Sequence, residues 1–328
     1  MKMQTRKLGG VEVSAVGLGC MGMSGVYGPA DEDESIATIH AAMEAGVTLL
    51  NTGDFYGAGH NEMLVGRALA GKRDRAFVSV KFGAQLQPPG QIVGFDARPV
   101  AVKTYVTYSL RRLRTDYIDL YQPARVDPNV PIEDTVGAVK ELIDAGYVRH
   151  LGLSEAGVGS IRRAHATHPV TALETEYSLA TRDPEQGILP LLRELGIGMV
   201  AYGVLSRGLL TGDVAPGAAF APGDFRAHSP RFQGENLEQN IRLADALRQI
   251  GGQTGLTPAQ LAFAWVLSRG DDIVPLIGTK RRDRLADALG ALDATLSPDD
   301  LALLERAVPA GAVAGTRYPA AAMSGLGR

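Results

Sequence analysis

The chain has 328 residues, 45% of them hydrophobic and 21% charged, enough apolar material for a sizeable core and too much for a disordered chain. Lysine plus arginine number 33 against 36 acidic residues, and a net charge of −3 gives no electrostatic ground for nucleic acid or an anionic membrane as partner. The one cysteine, Cys20, excludes an intrachain disulfide and a cysteine-built zinc site; with no signal-peptide pattern and no long apolar run, a cytoplasmic home is expected.

In chain order, Thr5–Leu8 and Val11–Ser14, joined by Gly9 and Gly10, read as a hairpin. An alternation of strand and helix patterns follows. The expected strands are 16–19, 47–50, 76–80, 117–120, 148–153, 171–174, 197–201 and 273–277. Helical spacing marks 32–45, 62–70, Pro99–Leu113, 131–145, 159–166, 184–195, 237–250, 258–268, 281–289 and 298–308. Several of these helices open on Pro and close on Gly. A Gly- and Pro-rich stretch, 203–234, and the Ala- and Gly-rich tail, 310–328, read as loops. Eight short strands separated by helices predict a single domain over 1–328, an α/β (β/α)8 TIM barrel whose hairpin plugs the bottom. A doubly wound open sheet is the competing architecture. In a barrel the chemistry sits at the C-terminal ends of the strands.

The first strand carries Gly17-Leu-Gly19-Cys-Met-Gly22, a match to the dinucleotide fingerprint. That fingerprint needs a helix to start inside it, and the next helical pattern begins some ten residues later, so a glycine-lined loop over a ligand is the better reading. After the second strand stands Asn51-Thr-Gly-Asp-Phe-Tyr56-Gly57, and Lys81 closes the third. A tyrosine is a poor acid at neutral pH unless its proton is loosened, and a nearby ammonium is expected to lower its pKa. The plainer alternative is a solvated lysine at a strand end and a tyrosine anchoring a loop. His165 and His168 share a helix face, but no carboxylate follows at ligand spacing, and solvated helix positions are the simpler reading.

GLGCMGMSGVYG, DEDESIATIHAAMEAGVTLLNTGDFYG, VSVKFG, YIDLYQPARVDP, HLGLSEAGVGSIRRA, ALETEYSL, AYGVLSRGLLTG and PLIGTKRRDRL closely resemble the aldo-keto reductases, in that family's order and over essentially the whole chain. The resemblance implies a barrel that uses NADPH to reduce aldehydes and ketones. It puts Tyr56 on the family's proton donor and Lys81 on its partner. Where the family's tetrad has Asp and His, this chain has Asn51 and Ala124. Asn51 can accept a hydrogen bond but cannot pair its charge with Lys81. Asp54 is a candidate for the missing carboxylate, and Arg125 or Glu174 for the missing polar contact; each equally fits a solvated or structural position.

The cofactor positions implied by the resemblance are Cys20 and Met21 on the first loop, and Ser154 and Glu155 after the fifth strand, the serine for the carboxamide. Glu174 stands for a usual Gln, and Tyr202 for the aromatic that stacks on the nicotinamide. Leu205, Ser206, Arg207 and Gly208 resemble the pyrophosphate segment. Gly278, Thr279, Lys280 and Arg284 resemble the grip on the 2′-phosphate, and Asp287 with Ala288 stands for the adenine-side Glu-Asn pair. Two cations where an NAD site would want a carboxylate favour NADPH. The expected partner is a small carbonyl compound or its alcohol, with neither nucleic acid nor membrane involved. The sequence assigns no oligomeric state. The rival from another class is an NADPH-binding sensor or regulatory subunit with weak turnover. Phe55, Phe220, Phe225 and Tyr318 are candidates for pocket lining, each equally a candidate for core.

Overall fold

A computed structural model describes residues 3–88 and 90–328. Its centre is a closed barrel of eight strands, Gly17–Gly19, Leu49–Gly53, Phe77–Phe82, Ile118–Pro123, Val148–Ser154, Val170–Glu176, Gly198–Tyr202 and Ile273–Gly278. Each pairs in parallel with its neighbours in chain order, and the eighth pairs with the first. They are called here the first to eighth barrel strands. Connecting helices wrap the outside, as the alternation predicts. Ile132–Asp144, for example, turns Val136, Val139 and Leu142 inward at helical spacing. Pro258–Leu267 is apolar on nearly every side, begins in a Thr257–Gln260 capping box, and buries Trp265 completely.

Among the described residues, two of the three apolar clusters build the barrel. The larger lies between strands and helices. The smaller lies inside the barrel, where Leu49, Leu120, Ala172 and Val274 come from the even-numbered strands. Leu8 and Val13 of the antiparallel hairpin Thr5–Leu8/Val11–Ser14 close this column from below, as expected. Side chains alternate along a strand, so the residues two positions later again face the axis: Asn51, Gln122, Glu174 and Leu276. The top layer of the barrel interior is therefore three polar side chains and one leucine.

The structure corrects the sequence boundaries in one direction. The second, third, fourth and sixth strands run two or three residues beyond the expected ends, to Gly53, Phe82, Pro123 and Glu176. Each extension contains a polar residue, Asn51, Lys81, Gln122 or Thr175, which breaks an apolar run without breaking the hydrogen-bonded ladder. A further antiparallel pair, Ala84–Gln87 with Gln91–Phe95, projects from the third strand's end. It was not expected: Ala-Gln-Leu-Gln alternates apolar and polar residues, but the run is only four residues long and its partner Gln91–Phe95 is mostly exposed, with no alternation in burial. The tail, read as loop, contains one short helix, Ala320–Met323. Among the described residues no helix is long and apolar enough to cross a membrane.

Candidate active site at the barrel mouth

The site grows from strand register. Asn51 lies opposite Ser79 and Gly53 opposite Lys81, while Lys81 in turn lies opposite Gln122. Lys81 is thus flanked by the two amide-bearing strands and faces Glu174 across the barrel. Its ammonium donates to Asn51 Oδ1 at 2.6 Å and to Glu174 Oε1 and Oε2 at 2.8 and 3.0 Å. Asn51 Nδ2 donates to Glu174 Oε2 at 2.7 Å, and Gln122 Nε2 to the same oxygen at 2.5 Å. Ser79 Oγ accepts from both amides at 3.3 and 3.2 Å. All five side chains are buried. Gln122 has room because residue 152 on the next strand is glycine: a Cβ there would stand 2.8 Å from Gln122 Oε1.

Tyr56 follows the second strand in a short turn, Tyr56–Gly59, and packs edge-on against Phe55 with ring centres 4.8 Å apart. The missing side chain at Gly53 permits this, since a Cβ would come within 3.2 Å of the Phe55 ring and 3.4 Å of the Tyr56 ring. The Lys81 ammonium lies 5.3 Å from the Tyr56 ring centre, in cation–π range. Its three donors are already engaged by Asn51 and Glu174. Lys81 and Tyr56 therefore interact through the field rather than by a hydrogen bond.

That arrangement corrects the expected lowering of the tyrosine pKa. Burial first, then the negative charge of Glu174, push the Tyr56 phenol well above its ordinary value, and Arg125 only partly opposes them. Tyr56 therefore holds its proton throughout the neutral range. The ammonium of Lys81 is pushed the other way, downward by burial against the opposing pull of Glu174. Asp54 is not the missing carboxylate. Its Oδ2 accepts from Gly83 N–H at 3.1 Å and its Oδ1 has no partner. Ala124 is buried, and the neighbouring Arg125 guanidinium curls onto the Ala124 carbonyl at 2.6 Å.

The rim is a second network. Glu155 takes both ends of Arg317 at 3.1 and 2.7 Å and the Tyr202 hydroxyl at 2.7 Å. Burial raises the Glu155 carboxyl, but Arg317 outweighs it and holds the group below the usual carboxylate range. Tyr202 also meets the hydroxyl of Tyr318 at 2.9 Å, and Arg207 donates to the Arg317 carbonyl at 2.9 Å. Arg207 lies over the rings of Tyr318 and Phe225, 4.8 and 5.2 Å from their centres. Glu155, Tyr202 and Arg207 are three of the positions the resemblance gives to the cofactor, and the tail covers all three. Ser206, Arg207 and Gly208 follow one another at φ 47°, 58° and 89°, all left-handed, with the N–H groups of Ser206 and Gly208 bonded to the Gly203 and Leu205 carbonyls at 2.7 and 3.0 Å.

The remaining cofactor candidates divide. Ser154 is buried at the end of the fifth strand, Met21 is half-buried on the first loop, and Leu205 packs against the core. Cys20 is fully enclosed, and burial pushes its thiol up to about 12, so it is packing rather than a reactive group. At the end of the eighth strand, Gly278 and Thr279 lead to Lys280, whose ammonium bonds the carbonyls of Tyr27, Gly28 and Pro29. Arg284 pairs with Asp213 at 2.9 Å. Asp287 turns its carboxylate to the Thr257 hydroxyl at 2.9 Å, into a helix cap. Phe220 joins a separate apolar cluster with Phe232, Leu209 and Leu237. His165 accepts from the Val170 N–H at 3.2 Å. Among the described residues no group of three or more His, Cys, Asp or Glu is placed to hold a metal. Sequence reasoning missed Gln122, Ser79 and Arg317. An inward register beside Lys81 was the available signal for the first two; nothing local marks Arg317.

The description "Aldo/keto reductase family" fits residues 15–309. A Glycine max protein, "Probable aldo-keto reductase 1", is 45% identical over 97% of this chain and 92% of its own length. Among solved structures, a glycerol dehydrogenase from Gluconobacter oxydans superposes with a TM-score of 0.84 at 30% identity, over 94% of this chain and 97% of that one. The holo form of an aldo-keto reductase from Bacillus halodurans gives 0.79 at 28% identity, with the same coverage. With the barrel, Tyr56 and Lys81 in place, these likenesses establish that the chain belongs to the aldo/keto reductase family, oxidoreductases that act on carbonyl groups.

Proposed function

We propose that the protein transfers hydride between NADPH and the carbonyl carbon of an aldehyde or ketone, reversibly with the alcohol. The observation that carries this reading is the buried Lys81 ammonium, pinned at three points and set against the ring of Tyr56. The donor set suits the cofactor. Ser154 and Tyr202 would hold its nicotinamide end, the run Ser206–Arg207–Gly208 its pyrophosphate, and Lys280 with Arg284 its 2′-phosphate. NADPH supplies the hydride when bound. Tyr56 keeps a proton on its hydroxyl and gives it to the carbonyl oxygen as negative charge gathers there. Lys81 steadies that charge through its field, in a site buried from solvent. In the alcohol direction the same hydroxyl position receives the proton back. Ala124 brings no hydrogen-bond donor to the carbonyl, which leaves orientation to Tyr56 and the walls of the pocket.

The reading is tested by following NADPH consumption against a panel of aldehydes, ketones and sugars, with NADH and the reverse reaction in parallel. Carbonyl-dependent oxidation of NADPH is expected. Tight NADPH binding with no turnover across the panel would refute it and leave the sensor reading.

A further inference from the structure

Lys81 cannot stay charged in its surroundings without a counter-ion. A buried ammonium loses its proton unless a carboxylate offsets the desolvation. Among the described residues one carboxylate stands within ion-pair distance, Glu174, and it comes from the opposite side of the barrel. Both of its oxygens reach Lys81, and Oε2 also accepts from Asn51 and Gln122. The two amides are oriented by what they touch: Asn51 turns its carbonyl to the ammonium and its NH2 to the carboxylate. A carboxylate at position 51 would face Glu174 Oε2, 2.7 Å from the present amide nitrogen, with no proton between them. The layer thus has room for one negative charge, and its chemistry places that charge on the sixth strand.

We propose that Glu174 is the positioning residue of this site: it keeps Lys81 protonated and fixes the ammonium against the Tyr56 ring, while Asn51 and Gln122 serve as neutral amides that orient the carboxylate. The acidic group that the resemblance puts at position 51 has moved across the barrel rather than vanished. Asn51 and Glu174 form one exchange of amide and acid, and neither is interchangeable alone. The inference rests on the reading of Tyr56 as proton donor, but its first readout does not.

The protein has seven lysines, so Lys81 can be followed by its labelled side-chain carbon resonance, assigned by its absence in Lys81→Met. Titrations would compare the unmodified chain with Glu174→Gln, Asn51→Asp and the double variant Asn51→Asp/Glu174→Gln. Loss of the counter-ion in Glu174→Gln is expected to move the Lys81 titration down by at least about one pH unit. The alkaline limb of kcat/KM should move with it. The double variant returns the carboxylate to Lys81 from the second strand and should recover most of both shifts. A Lys81 titration unmoved in Glu174→Gln, or a double variant no better than the single one, overturns the proposal. If Glu174→Gln does not fold, the double variant decides: folding with Lys81 protonated at neutral pH supports the exchange, and misfolding of both overturns it. A protein whose Lys81 shifts as expected, yet reduces no carbonyl, keeps the role of Glu174 and refutes the enzymatic reading instead.

Discussion

Asn51, Gln122 and Glu174 stand on three barrel strands and Lys81 on a fourth, whereas Glu155, Tyr202 and Arg207 at the rim are tied down by Arg317 and Tyr318 of the tail. The floor is set by parallel pairing: once the register is fixed, each side chain has one place to go. The rim depends on contacts spanning 110 to 162 positions along the chain. Breaking a floor contact strands a buried charge, which is costly because water cannot replace the partner. Most rim contacts come from one segment, the tail, whose last residues are held by backbone bonds as well: Gly157 N–H donates to the Arg328 carbonyl at 2.6 Å and Gly327 N–H to the Glu155 carbonyl at 3.0 Å. A rigid floor suits proton transfer, where small displacements matter. A rim closed by the tail would have to open for a cofactor to enter and leave, so its contacts are where binding kinetics should be set.

The largest effect is expected on the floor. Tyr56→Phe keeps the ring, its packing against Phe55 and its place over Lys81, and removes only the hydroxyl. General acid catalysis is worth roughly 10²–10⁴-fold, so single-turnover hydride transfer should fall by at least about 10² while NADPH binding persists. A Tyr56→Phe protein within about threefold of normal would remove Tyr56 from the mechanism. The pH profile sharpens the point. Since Tyr56 is pushed up and Lys81 down, alkaline loss of activity should report the lysine, and it should vanish from the profile of Lys81→Met.

At the rim, Arg317→Ala removes the two-pronged grip on Glu155. Hydrogen bonds to charged groups contribute about 1.5–3 kcal/mol each, so NADPH association and release should both quicken by about tenfold or more. The chemical step should change far less. Stopped-flow NADPH fluorescence separates these, and unchanged rates would mean that the tail does not gate the site. A smaller effect is expected further out, at Lys280 and Arg284. Lys280→Ala should reduce the preference for NADPH over NADH by up to about tenfold, and Arg284→Ala by less, because Asp213 already competes for that guanidinium. Equal affinities of the unmodified protein for the two cofactors would end this assignment.

The comparison also explains what the sequence could convey. Apolar runs and helical spacing revealed all eight strands and the bottom hairpin, because burial against the helices and inside the column dictates those patterns. The expected runs ended at Leu50, Val80, Leu120 and Glu174, and the strands continue from there through Asn51, Lys81, Gln122 and Thr175 into the site. Function begins where the apolar signal ends. The places of Tyr56 and Lys81 at strand ends could be read from the sequence; the roles proposed for them came from the family resemblance. The role of Glu174 could not be read there, since it depends on what stands across the barrel rather than beside it in the chain. Arg317 was invisible for the same reason: a tail rich in Ala and Gly carries no periodicity, and its contact with Glu155 exists only in three dimensions. Asp54, a candidate for the missing carboxylate or equally for a structural position, takes the structural one: its side chain accepts from the Gly83 N–H.

The smallest effect on the reaction, and one on stability, is expected at Asp54. Its carboxyl is buried beside Glu62, and Arg112, which bonds Glu62 at 3.1 Å, gives Asp54 only a contact to its backbone carbonyl. Burial pushes its pKa up to about 7, the Gly83 N–H opposing and Glu62 reinforcing. Between about pH 4, where the group titrates in the unfolded chain, and about 7, the folded chain keeps a proton that the unfolded chain has released. The favourable contribution of that proton is complete below the lower value and lost as pH rises through the upper one. Asp54→Asn has no proton to lose and can still accept from Gly83. Its melting temperature relative to the unmodified protein should therefore be near parity at about pH 4, climb through the interval, and level off above about pH 7. A shift of this size corresponds to at most about 4 kcal/mol, and relaxation around the site reduces it, so a gain of a few degrees is expected. Paired thermal melts across that range make the measurement. A difference that does not vary with pH would mean that Asp54 is ionised in the folded protein, and the account of its buried, half-satisfied carboxyl would fail.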